Sequence, residues 1–146
     1  MTQEDKELLL KDLCARLLYG VKCCIYNFGE NTIRIKEDIL WSVQGDNILT
    51  LKSCVEKGEA YMYHQIKPYL FPLSSMTVEQ MCKVQNLLPD NCDISFKTQK
   101  ITFYDEGNIQ LKQLEKIFKF FNLYHLDYRG LIEKGLAIDA TGKNIY

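Results

Sequence analysis

The chain has few histidines and prolines, almost no charge imbalance and no long apolar run, and each shortage removes a class of function. Two histidines among 146 residues leave little for an imidazole-based metal site. Eighteen basic against nineteen acidic side chains give a net charge of −1, so no overall field draws the chain to nucleic acid or an anionic membrane. The start, "MTQEDKELLLKDL", is acidic and holds only a three-leucine run. Neither a signal peptide nor a membrane span is therefore expected, and the expected location is cytoplasmic. With three prolines and no repeat or low-complexity tract, nothing marks a linker, and a single domain over residues 1–146 is expected.

Six cysteines without a secretion signal read as reduced thiols. Zinc needs paired ligands at short spacing. Only Cys23 and Cys24 are close in sequence, and on a strand their side chains point to opposite faces. No metal and no cofactor is expected. Nucleophile motifs are also missing: there is no G-x-S-x-G. "AIDATGKN" fails as a phosphate loop, because Ala137 stands where the first glycine is needed and Asn144 where Ser or Thr is needed.

What is present is alternation. Leu9, Leu10, Leu13, Cys14, Leu17 and Leu18 recur at helical spacing behind the candidate cap Thr2, and Gly20 follows as a stop. From Val21 the period becomes two. "VKCCIYNF" reads as a strand and "FGEN" as its hairpin connection. In the next run Ile33, Ile35, Ile39, Trp41 and Val43 share one parity, with Glu37 and Leu40 as exceptions, which predicts a long half-buried strand with a bulge near Glu37–Asp38. "ILTLKSCV" and "AYMYHQI" read as two more strands, the second carrying His64 as a core or edge histidine. At "KPYLFPLSS" two prolines predict that the chain leaves the sheet.

Thr77 and Gln80 form a capping box for a helix with Val78, Met81, Cys82 and Leu88 inward, ended by Pro89. "CDISFKTQKITFY" reads as one or two strands. Asn108 is the expected cap of a long helix bearing Leu111, Leu114, Ile117, Phe118, Phe121 and His125 on one stripe. The expected class is α+β: an N-terminal helix, an antiparallel meander of about four to six strands, and C-terminal helices packed on the sheet.

The densest polar cluster is "HLDYR". His125, Asp127, Tyr128 and Arg129 are the candidate ligand-binding residues, with His125 as a base and Arg129 as an anion clamp. The competing expectation is structural: Asp127 caps a short helix over residues 128–135 closed by Gly135, and Arg129 either pairs with a carboxylate or stacks on a ring. No catalytic residue is assigned, since a nucleophile beside His125 is missing from the sequence and only a fold can bring Cys92, Ser74 or Ser75 close. Tyr69 and Phe71 are the candidate partner-binding residues, as an exposed docking strip, against the plainer reading that they pin the segment to the core.

Three stretches, "LLKDLCARLLYGVK", "IKPYLFPLSSMT" and "FFNLYHLDYRGLIEKGLAIDATG", resemble a widespread set of small uncharacterised proteins from gut bacteria and their phages. Their C-terminal signature reads Trp-Leu-Asn-x-His-His-Phe-Asp-Tyr-Arg-Gly-Leu-Ile. Asn122, His125, Asp127, Tyr128, Arg129, Gly130, Leu131 and Ile132 match it, while Phe120 and Tyr124 depart from it. The resemblance implies an accessory gene product that binds or inhibits something. The expected function is thus a non-enzymatic interaction or regulatory protein with a protein partner. The alternative is a nucleotide or short nucleic-acid binder using Arg129, His125 and nearby tyrosines.

Overall fold

The computed structural model describes residues 1–28, 33–44, 48–55, 57, 59–89, 92–95, 100–103 and 110–146. In chain order its elements are α1 (Gln3–Arg16), β1 (Lys22–Phe28), β2 (Ile33–Gln44), β3 (Ile48–Leu51), β4 (Tyr61–Met62), β5 (Ile66–Pro72), α2 (Val78–Gln85), β6 (Cys92–Ser95), β7 (Lys100–Phe103), α3 (Leu111–Leu123), β8 (Leu126–Asp127) and β9 (Ile138–Asp139). Two compact units form, one of Met1–Leu70 with Arg129–Tyr146, the other of Phe71–Tyr128. The α+β class holds, with a mixed and mostly antiparallel sheet.

In the first unit, α1 begins at the expected cap Thr2, which forms a capping box with Asp5. The Thr2 hydroxyl accepts from the Asp5 N–H, and the Asp5 carboxylate accepts from the Thr2 N–H, both at 3.1 Å, which stabilises the helix start by about 1 kcal/mol. Gly20, at φ +66°, turns the chain into β1. Strands β1 to β4 form the expected antiparallel meander. The expected "FGEN" connection, beyond Phe28, lies outside the described residues. Leu9 and Leu13 of α1 share a core with Val21, Cys23, Ile25, Leu40, Leu49, Leu51, Ile66 and Leu70.

The bulge is not at Glu37–Asp38. Pairing of β2 with β1 is regular from Ile33 to Ile39, and the break lies on the β3 side, where Leu40 faces Leu51 and Ser42 faces Thr50. Trp41 is the extra residue, so the inward face passes from Leu40 before it to Val43 after it. Leu40 is 2% exposed and Trp41 is 54% exposed, the reverse of the simple alternation.

"KPYLFP" does not leave the sheet. It forms most of β5, whose first residues pair antiparallel with β1 and whose Tyr69 and Leu70 pair in parallel with β9. The outward bond here uses a carbonyl, Leu70 C=O accepting from Ala140 N–H at 2.8 Å, so proline's missing donor is no obstacle. Where the β1–β5 ladder stops at Cys23 and Pro68, the Tyr146 hydroxyl takes the next rung. It accepts from Lys22 N–H at 3.1 Å and donates to Tyr69 C=O at 2.8 Å, satisfying both groups. His64 is exposed in a short 3₁₀ turn, Tyr63–Gln65, rather than on a strand. The predicted helix over residues 128–135 is replaced by turns: Gly130 at φ +70° stops it, and Leu131 C=O accepts from Leu136 and Ala137 N–H.

In the second unit, Phe71 and Pro72 at the end of β5 pair in parallel with β8, and β6 and β7 form an antiparallel pair. The Thr77–Gln80 box starts α2 as expected. Met81, Val84 and Leu88 turn inward, whereas Val78 and Cys82 face water. On α3, Ile117 and Phe121 are buried, while Leu111 and Phe118 are exposed. Asn108 lies outside the described residues, and the N-cap is Gln110, whose N–H donates to the Gln113 side chain at 3.0 Å.

Candidate functional site

The polar cluster is built into the fold. In the second unit His125 is 7% exposed and has a left-handed backbone, φ +52°. Its N–H donates to Asn122 C=O at 3.2 Å, and its C=O accepts from Phe71 N–H at 2.9 Å. That geometry ends α3 and starts β8. Asp127 is buried on β8 opposite Pro72. The Tyr128 ring lies 5.3 Å from Phe118 and 5.5 Å from Phe121, centroid to centroid. The capping role expected of Asp127 has no helix to act on.

Arg129 belongs to the first unit, so the four residues divide between two units. Its guanidinium stands 3.7 Å from the Asp12 carboxylate. Asp12 and Arg16, one turn apart on α1, are both fully buried and joined through two hydrogen bonds, 2.7 and 3.0 Å. Pairing of Arg129 with a carboxylate is therefore observed, and Asp12 is a partner that short-range sequence reading does not reach.

Tyr69 is buried, its hydroxyl donating to Glu37 at 2.6 Å; burial, with that bond, pushes its phenol pKa upward. Phe71 packs against the core of the second unit. Neither ring forms an exposed strip. Ser75 donates to Pro72 C=O at 2.7 Å, closing a turn, and Cys92 is buried. Burial raises the Cys23 thiol pKa strongly, which leaves it protonated and inert. Among the described residues no three His, Cys, Asp or Glu side chains gather as metal ligands.

Among the described residues of the first unit, two open grooves border Trp41. One open groove of about 390 Å³ has Trp41, Ser42, Gln44, Thr50, Val55 and Glu59 in its lining. A second is lined by Trp41, Lys52, Ser53 and Val55. The indole thus borders two grooves whose rims are mostly neutral hydrogen-bonding groups, with Lys52 beside one and Glu59 beside the other. The bulge puts it there. The sequence signal was Leu40, the residue that breaks the alternation next to Trp41.

No family model, curated protein or solved structure matches the chain. Among the described residues no helix is long and apolar enough to cross a membrane.

Proposed function

We propose that the chain is a small non-enzymatic interaction protein of the cytoplasm, an accessory product of a mobile element or phage, that binds a protein partner through the Trp41 face. The 54% exposure of the indole carries this reading. Tryptophan is enriched at interfaces and among the residues that dominate binding energy. A ring needed only for folding belongs in the core, where burying an aromatic stabilises most. Here a bulge turns it outward, beside half-exposed Val55.

The neighbouring sheet edge is blunted. Strand β4 has two residues, and Met62 N–H is taken by the Gln65 side chain at 2.9 Å. This favours a partner seated on the face over one that adds a strand. Cys14, Cys23, Cys24 and Cys82 are free thiols, in keeping with a reducing compartment. The buried placement of His125 and Asp127 supports structural roles for both.

Affinity capture from gut bacterial lysate tests the reading, using the wild type, Trp41→Ala and the surface control Leu111→Ala. A protein retained by the wild type and the control but lost with Trp41→Ala is the expected result. Equal retention by Trp41→Ala, or no specific protein on the wild type, counts against it.

A further inference from the structure

We propose that Asp38 is the positioning residue of the Trp41 face, clamping the turn Lys52–Cys54 to β2 and so fixing the groove wall beside the indole. This regulation rests on the reading of Trp41 as the anchor. Lys52 and Ser53 are exposed, and a surface turn with little apolar burial takes its position from polar contacts. Asp38 supplies them. Its carboxylate accepts from Ser53 N–H at 3.1 Å and from the Ser53 hydroxyl, and is oriented by Ile39 N–H at 2.8 Å. Lys36 closes the cluster, donating to the Ser53 hydroxyl at 2.6 Å and standing 3.7 Å from Asp38.

Asp38 lies three residues before Trp41 on the same strand. Ring and wall are therefore both referred to β2, and a partner meets a face that needs no ordering on binding. The titratable groups beside Asp38 are Lys36 on β2 and Cys23, its register partner on β1. Neither a lysine ammonium nor this buried thiol changes charge in acid; the Glu59 carboxylate, which lines a groove beside Trp41, does, so the part of an acid transition that depends on residue 38 is the part that belongs to Asp38.

Trp41 is the single tryptophan of the chain, so fluorescence excited at the red edge reports this site alone, with no partner needed. The full-length wild type, Asp38→Ala, Asp38→Asn and Ser53→Ala are compared by emission wavelength, acrylamide quenching and an acid titration, with circular dichroism as the check on folding. The expected result for Asp38→Ala is a red-shifted emission and increased quenching. Ser53→Ala shifts both the same way by less. Asp38→Asn keeps emission close to the wild type at neutral pH, since its side-chain oxygen still accepts from Ser53 N–H, but shows a smaller acid step than the wild type.

Unchanged emission and quenching in folded Asp38→Ala overturn the proposal, and so does an acid step in Asp38→Asn as large as that of the wild type. Should Asp38→Ala fail to fold, unchanged quenching in Ser53→Ala overturns it equally. Partner capture is not read here, so a failed clamp leaves Trp41 as anchor untouched, and failed capture leaves the clamp.

Discussion

Asp12 receives Arg16 through both carboxylate oxygens, and Arg129, from the far end of the sequence, stands 3.7 Å from the same group. With Asp12 and Arg16 fully buried, the carboxylate neutralises a cation that has no route to water. Asp12→Ala removes both of these bonds from the buried Arg16 guanidinium and is expected to cost roughly 3–5 kcal/mol, a fall in Tm on the order of 10 °C for a chain this size. Arg129→Ala removes a longer, partly exposed contact and is expected to cost about 1 kcal/mol. Thermal melts of the two variants check the ranking; equal losses contradict it.

Trp41→Ala is expected to leave stability within about 0.5 kcal/mol of the wild type, as surface substitutions do. Leu40→Ala, one residue earlier and 2% exposed, is expected to cost about 2–5 kcal/mol. Denaturant midpoints of this adjacent pair test the position of the bulge. A larger loss for Trp41→Ala means that the parity does not switch there.

Asp38 gives the fold an acid dependence of known sign. Burial raises its pKa, but hydrogen bonds from the Ser53 hydroxyl and from the N–H groups of Ile39 and Ser53 outweigh it, and the net shift is below the ordinary 3.8. A lowered folded pKa means that the contribution is fully present above the unfolded value and is lost as pH falls through the folded one. Stability of the wild type therefore decreases below about pH 4 in part through Asp38, and Asp38→Asn flattens that part. An unchanged pH profile in Asp38→Asn contradicts the assignment.

His125 holds a left-handed backbone, φ +52°, which costs a non-glycine residue roughly 1–2 kcal/mol. Asparagine tolerates that region better than alanine. His125→Asn is expected to be less destabilising than His125→Ala, although neither retains the ring. Chemical denaturation of both reads the order, and the reverse order shows that ring packing rather than backbone sets the cost.

Much of this architecture is legible in short-range pattern. The boxes at Thr2 and Thr77, the meander of β1 to β4 and the end of α3 near Leu123 all follow from residues within a few positions of each other. What escapes is set at long range. Prolines at 68 and 72 read as strand breakers, yet β5 makes its outward bond here with a carbonyl. The inward stripe of α2 is chosen by its tertiary neighbours, so Val84 replaces Val78 and Cys82. Trp41 reads as core because alternation says so, and the single extra residue that reverses it follows from the register of β3. The cluster at residues 125–129 looks like chemistry because its members are adjacent in sequence, whereas in the fold Tyr128 packs on Phe118 and Phe121 and Arg129 faces Asp12 of α1.

The most direct measurement is the affinity of Trp41→Ala, relative to the wild type, for the purified protein that the wild type captures. A loss of at least about 30-fold is expected, the 2 kcal/mol or more that marks a dominant interface residue, with Tm unchanged. An affinity equal to that of the wild type contradicts the account, for it leaves the exposed indole without a role in binding.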